Sequence, residues 1–270
     1  MGHDDLAVAL STAEAAADEA RALALARFGG PVAVDTKPDG SAVTEADTAI
    51  EQAVHATLAR AHPDHAVMGE ETGGALDPTR PTWVVDPVDA TANFLRGVPV
   101  FATLIALVVD GEAVVGVCEA PALGERVAAA RGHGVRRNGA GVRASGVRSV
   151  ADAHVALGDL ARLRELPELW KGSMTLVDAA WRTSGFADFW GHVMVAYGAV
   201  DLAVERDVHL WDIAAPACLV TEAGGRMTDL AGEPVLATSA AGRGPSDPPN
   251  AVVTSNGLLH GAALDALRGS

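Results

Sequence analysis

The sequence predicts an α+β fold, a layered αβαβα sandwich, on three observations. Two helical stretches open the chain, apolar runs joined by hairpin signals follow, and the second half alternates strand-like and helical segments. With 270 residues, 49% of them hydrophobic and 20% charged, the chain can bury a large core. Its length lies near the roughly 250–300 residues at which single cores stop growing, so one large domain or two smaller halves are both admissible.

The first helix is expected from Leu6 to Arg27, alanine-rich with Glu14, Asp18 and Glu19 among its polar positions. The second is expected from Thr44 to Ala61, with Thr44 as its cap and Asp47 and Glu51 following. Lys37 to Ser41 between them is rich in turn formers, and Val67 to Gly69 is a short apolar approach to Glu70 and Glu71. Trp83 to Val85 reads as a buried strand that stops at Asp86-Pro87, because proline lacks a ladder donor. Phe101–Val109 and Ala113–Glu119 are strands joined by Asp110-Gly111, and Val127–Ala130, Gly134–Arg137 and the Asn138-Gly139 turn continue the antiparallel theme. The pattern weakens from Arg143 to Ala151, which sets an N-terminal half at 1–148 and a C-terminal half at 149–270.

In the second half, Val155–Leu157 reads as a strand, Leu160–Lys171 as a helix, and Trp181-Arg182 as the end of a strand. Phe189–Ala199 is an apolar helix, Val200–Val204 a strand, and Trp211–Ala223 a helix closed by Gly224-Gly225. Ala251–Thr254 and Leu258–Leu267 supply a last strand and helix, after a surface loop at Ser239–Pro249. This half is expected to hold a mixed sheet between helices.

Thirty-five acidic against 20 basic residues give a formal charge of −15, which repels nucleic acid and anionic membranes. A small phosphate ester stays compatible with that charge if carboxylates hold divalent cations that reverse the local field. Cys118 and Cys218 stand far apart in apolar surroundings and read as buried free thiols. With no signal-peptide pattern at the start and no apolar run of roughly 20 residues, the expected location is the cytoplasm.

Asp86-Pro87-Val88-Asp89-Ala90-Thr91-Ala92-Asn93-Phe94 carries the most chemical information. Two carboxylates three residues apart leave an apolar strand on a turn that can start a helix. They can converge on hard cations while the first free helix amides face an anion. An isolated D-x-x-D is commonly a solvated turn. Here Glu70-Glu71 upstream and Trp211-Asp212 downstream add two further acidic sites beside apolar sequence, and clustered carboxylates are costly without compensating charge.

With Gly69-Glu70-Glu71, Asp86 to Phe94 and Trp211-Asp212-Ile213-Ala214-Ala215 in this order, the sequence resembles the inositol monophosphatase family, whose signatures are G-E-E, D-P-[IV]-D-G-T-x-N-[FY] and W-D-x-A-A. Val43 to Asp47 and Glu222 to Gly225 add to the likeness, which runs from Leu6 to Leu267. The resemblance implies a sandwich of the inositol monophosphatase/fructose-1,6-bisphosphatase type and a Mg²⁺-dependent phosphomonoesterase. Glu70, Asp86 and the Val88 carbonyl would hold one ion, Asp86, Asp89 and Asp212 a second, and a weaker third would share Glu70. Mn²⁺ would be a substitute. Thr91 and Asp47 would orient and deprotonate the attacking water, and the amides of Ala90 and Thr91 would hold the phosphate. The family has glycine where this chain has Ala90; the expectation is that Ala90 begins the helix with ordinary φ, since φ > 0 would cost alanine about 1 kcal/mol.

Trp181 to Trp190 is similar to the R-x-x-G-F-x-D-F-W segment of the histidinol-phosphate phosphatase branch. On that likeness Asp188 and Glu205 would pair with the ammonium and imidazole of histidinol phosphate. Asp188 could instead be a helix N-terminal acid, and Glu205 a surface carboxylate closing a strand. Inositol monophosphate, fructose bisphosphate and a nucleotide 3′-phosphate stay open as substrates. A non-catalytic protein keeping the fold is disfavoured by the presence of both Thr91 and Asp47. Lys37 could neutralise Glu71 or simply be an exposed turn residue, and His192 and His209 read as structural because magnesium prefers oxygen. The resemblance and the apolar Phe189 to Val200 segment suggest a homodimer.

Overall fold

The computed structural model describes residues 1–31, 33–36, 42–186, 188–236 and 251–269. Helix α1 (His3–Arg27) turns Leu6, Ala9, Ala13, Ala16, Ala17, Ala20 and Ala24 inward, a stripe of small side chains at helical spacing. It packs on α2 (Glu45–Ala61) and on the middle of a large sheet. A reciprocal cap starts α2: the Thr44 hydroxyl accepts from the Ala46 and Asp47 amides, and Asp47 Oδ2 accepts the Thr44 amide at 2.8 Å. A two-stranded pair, β1 (Val34–Thr36) and β2 (Ala42–Thr44), precedes it.

The large sheet has seven strands in sequence order: β3 (Ala66–Gly69), β4 (Thr82–Asp89), β5 (Ala102–Val109), β6 (Glu112–Ala120), β7 (Glu125–Ala130), β8 (Gly134–Arg137) and β9 (Ala140–Val142). Only the β3–β4 pairing is parallel. The alternation of β5 shows why both faces are covered: Leu104, Ala106 and Val108 enter one core, Ile105 and Leu107 the other. The hairpin turns follow their residues, with Asp110 and Gly111 at φ 52° and 78°, and Asn138 and Gly139 at 47° and 81°.

One expectation is corrected here. β4 does not stop at Asp86-Pro87 but runs to Asp89, and the pairing shifts register between Asp86, opposite Leu104, and Asp89, opposite Ala102. The bulge absorbs the missing proline N–H, and the Pro87 carbonyl accepts the Thr103 hydroxyl at 2.8 Å.

The second sheet is mixed, in the order β11-β10-β12-β14-β13, from β10 (His154–Leu157), β11 (Arg182–Ser184), β12 (Leu202–Arg206), β13 (Arg226–Asp229) and β14 (Ala251–Ser255). β11 begins at Arg182, where its end was expected. The helix expected over 160–171 is two, α4 (Leu160–Leu163) and α5 (Pro167–Ala179), because Pro167 fits the first position of a helix and not its interior. α6 (Phe189–Ala196) ends three residues early, before Gly198 at φ 75°. α7 (Leu210–Glu222) and α8 (His260–Arg268) follow. The Ser239–Pro249 loop lies outside the described residues.

Five layers result: α1 and α2, the seven-stranded sheet, α6 and α7, the five-stranded sheet, and α5 with α8. This is the α+β sandwich expected from the sequence. α7 reaches the large sheet through Gly116, where an added Cβ would stand 2.6 Å from the Ala215 carbonyl oxygen. That approach carries the N-terminus of α7 to the end of β4. Among the described residues no helix is long and apolar enough to cross a membrane.

Candidate active site

The bulge of β4 gives Asp86 and Asp89 to one side of the sheet end, and the first turn of α7 brings Asp212 to meet them. One carboxylate oxygen of each lies within 4.8 Å of the others. Asp86 is 2% exposed and Asp89 6%, and Asp86 Oδ1 and Asp89 Oδ2 are buried without a hydrogen-bond partner. Burial pushes both well above the usual carboxylate range. Glu70, Asp89, Asp212 and Asp47 push Asp86 further, and Asp188, Asp212 and Glu205 push Asp89, against a hydrogen bond from the Phe189 amide. The charges acting most on these two acids are therefore other carboxylates. An all-oxygen set with orphaned buried oxygens suits a hard divalent cation.

Glu70 follows β3, where its amide donates to Val85 O at 3.1 Å. Beneath that turn is Glu51, noted from the sequence only as an acid of α2; it is fully buried and accepts the amides of Glu71 and Thr72 at 2.9 and 2.8 Å. Its spacing of four from Asp47, which puts both on one helix face, is the signal that could have found it. Asp47 is also fully buried, with Oδ2 held by the Thr44 amide and hydroxyl, the latter at 2.5 Å. Thr91 Oγ1 stands 2.9 Å from Val88 O and 3.4 Å from Asp47 Oδ1, so its single proton can go to either.

The expectation for Ala90 is overturned. Ala90 caps the six-residue helix α3 (Thr91–Arg96) at φ 66°, ψ 46°, the left-handed conformation a glycine would supply freely. The chain must reverse from the bulged strand into α3 within one residue, and the Ala90 carbonyl accepts the Asn93 and Phe94 amides at 2.9 and 3.1 Å. Its methyl packs against the core between α1, α2 and the large sheet.

Asp188 occupies the cap position of α6 at φ 60°, ψ −155°, a region otherwise almost confined to glycine, yet its side chain makes no capping bond. Burial first, then Asp212 and Asp159, raise its carboxyl to about 6. Glu205, near the end of β12, is 7% exposed and not a surface acid. Burial and Asp188 raise it well above the usual range, while the amides of Asp188 and Asp159 donate to it. Gly158 lies flat on this carboxylate, where a Cβ would stand 2.4 Å from Oε1.

Two histidines flank these acids. His192 is buried, its Nδ1 2.8 Å from the Thr254 hydroxyl and its Nε2 3.8 Å from Glu205 Oε2, and burial lowers it to about 4. His209 stacks on Trp211 at 4.9 Å, and its amide donates to Asp212 Oδ2 at 2.6 Å. Its ring, with Nδ1 3.6 Å from that oxygen, is raised chiefly by the neighbouring Asp212 carboxylate. Lys37 lies outside the described residues.

Residues 5–266 match the inositol monophosphatase family. The chain belongs to that family. It is 44% identical to a histidinol-phosphatase of Mycobacterium tuberculosis over 99% of both chains, and 42% identical to one of Streptomyces coelicolor over 96% of both. The solved structure of the Thermotoga maritima IMPase superposes with a TM-score of 0.83 at 27% identity, covering 98% of this chain and 97% of the other. This member of the family is a phosphoric monoester hydrolase.

Proposed function

We propose that the enzyme hydrolyses L-histidinol phosphate to L-histidinol and inorganic phosphate, with Mg²⁺ as its cofactor and water as the direct nucleophile. The observation that carries the metal reading is the convergence of Asp86, Asp89 and Asp212 with orphaned buried oxygens. Glu70, Asp86 and the Val88 carbonyl would hold one ion, and Asp86, Asp89 and Asp212 a second, with a third sharing Glu70. The Val88 oxygen has a second lone pair to offer while it accepts Thr91. When bound, the cations supply charge neutralisation on a phosphate of about −1.5 to −2 and a lowered pKa for water.

The remaining work falls to the chain. Thr91 Oγ1 accepts a hydrogen bond from the attacking water and turns its own proton to Asp47 Oδ1, which the Thr44 bonds to Oδ2 leave aimed at it. The amides of Ala90 and Thr91, ahead of the first α3 hydrogen bonds, hold the phosphate. Asp188 and Glu205 take the cationic end of the substrate: both are raised carboxylates that an ammonium or imidazolium would stabilise in ionised form. Full-length likeness to two histidinol-phosphatases supports this choice.

The two catalytic contributions then come from the two halves, 1–148 and 149–270, and the working form is a cytoplasmic homodimer, in keeping with two buried free thiols. The test is phosphate release from histidinol phosphate, inositol monophosphate, fructose 1,6-bisphosphate and 3′-phosphoadenosine 5′-phosphate, with Mg²⁺ and with excess EDTA. Turnover fastest on histidinol phosphate and absent in EDTA is expected. A preference for inositol monophosphate would overturn the substrate, and full turnover in EDTA the cofactor.

A further inference from the structure

Helix α2 presents two buried acids one turn apart, and they point at different parts of the site. Asp47 faces Thr91. Glu51 faces the turn after β3, and it is fully buried. Its two oxygens are spent on successive backbone amides, Oε2 on Glu71 at 2.9 Å and Oε1 on Thr72 at 2.8 Å. Gly69 lies flat on the same carboxylate, where a Cβ would come within 2.4 Å of Oε1. The turn is closed by mutual Gly69–Gly73 amide bonds of 3.1 and 2.9 Å, and the Glu70 amide ties it to Val85, next to Asp86, at 3.1 Å. His55 Nε2, at 3.9 Å, is too far to hydrogen-bond the Glu51 carboxylate.

A carboxylate that accepts two adjacent amides fixes the orientation of both peptide planes, because each N–H must point at its own oxygen. The side chain between the Val85 tie and the two Glu51 bonds is that of Glu70. Gly69 is required for the same reason, since any larger residue would displace the carboxylate from the turn.

We infer that Glu51 is a positioning residue, which locks the Gly69–Thr72 turn so that Glu70 is presented to the cations before they bind. The inference rests on the metal reading proposed above. Each Glu51 oxygen accepts one backbone amide, so the part assigned to Glu51 is to hold the turn and not to ligate an ion. One face of α2 thus serves the attacking water through Asp47 and the ions through Glu51.

The test is direct titration of the full-length protein with Mn²⁺, followed by electron paramagnetic resonance, for wild type, Glu51→Gln and Gly69→Ala. Glu51→Gln must turn an NH₂ toward one of the two amides, and Gly69→Ala displaces the carboxylate while leaving its charge intact. Each is expected to raise the Mn²⁺ dissociation constant about tenfold or more, the usual loss when a group that orients a ligand is removed. The Mg²⁺ concentration giving half-maximal activity should rise by a similar factor, more than kcat falls. Hydrogen exchange on EDTA-treated wild type needs no variant: the Glu71 and Thr72 amides should be strongly protected. Lowered melting temperatures with unchanged Mn²⁺ affinity would make Glu51 a fold anchor and overturn the inference, as would rapid exchange of those two amides. Wild type that takes up no Mn²⁺ would instead overturn the metal reading itself.

Discussion

On β6, Glu119 is fully buried and both of its oxygens meet guanidinium groups, Arg21 at 2.7 Å and Arg126 at 2.5 Å, with Asp18 closing the network on Arg126. On β4, two strands away in the same sheet, Asp86 and Asp89 are nearly as buried, and the charges around them are more carboxylates. Taking an ion out of water costs several kcal/mol, and only well-placed opposite charge offsets it. Glu119 has that charge within the chain and fastens α1 to the sheet. The charges acting most on the β4 acids are carboxylates, and on the function proposed above the compensating charge comes from bound cations. Burial alone therefore does not mark a functional acid; burial among like charges does.

Removing charge at the two places should have opposite consequences. Asp89→Asn and Asp212→Asn are each expected to lower kcat by at least about 10²-fold at saturating Mg²⁺, the size of a lost transition-state electrostatic contact. The melting temperature of the metal-free protein should hold or rise, because a like-charge repulsion is relieved. Glu119→Gln should do the reverse: a loss of about 3 kcal/mol in urea unfolding, with turnover intact. An Asp89→Asn enzyme with near wild-type turnover would remove Asp89 from the ion set.

Asp188 sharpens the contrast, because its missing cation is expected to be the substrate and not a metal. Asp188→Ala should raise KM for histidinol phosphate and cost about tenfold to a hundredfold in kcat/KM, the loss of one charge-assisted contact. Hydrolysis of an uncharged polyol phosphate should hardly change. Equal losses on both substrates would give Asp188 a role in the fold or the ion set.

A smaller effect should appear in the pH dependence of stability. The Asp188 carboxyl titrates near 6 in the fold against 3.8 for the free side chain, so the folded protein holds an extra proton between those values. Its contribution is therefore full below about pH 4 and is lost as pH rises through about 6. Asp86, Asp89 and Glu205 are raised in the same direction and extend the loss upward. Mg²⁺ should cancel it, so the rise in melting temperature caused by Mg²⁺ should grow from about pH 5 to about pH 8. A constant increment across that range would detach these acids from the ion.

The smallest effect is expected at Ala90. Ala90→Gly relieves left-handed strain of about 1 kcal/mol but gives up a packed methyl and adds freedom to the unfolded chain, so unfolding free energy should rise by no more than about 1 kcal/mol. A loss larger than that in urea unfolding would show that the methyl outweighs the strain.

Much of the molecule was readable in order along the chain. The hairpins at Asp110-Gly111 and Asn138-Gly139, the apolar run of β5 and the Thr44 cap are local signals, written in neighbouring residues and satisfied by neighbouring residues. Edge strands of three or four residues, such as β9 and β13, went unseen because so short a run carries no period. The acidic motifs could be named from their spacing and from family likeness, but not the reason for Glu51, whose partners are amides twenty residues away.

Local sequence thus determined by itself most of the helices and the longer strands, since propensity, capping and periodicity act within a few residues, and motif spacing with family likeness picked out the acidic motifs. Tertiary structure alone decided three things. It extended β4 through Pro87 on a bulge, because β5 supplied a register shift that no local rule foretells. It forced Ala90 into the left-handed region, since the reversal from β4 into α3 leaves one residue to make it. And it brought Asp212 to Asp86 and Asp89 by seating α7 against Gly116, because the distance between residues more than a hundred positions apart is set by packing and not by sequence.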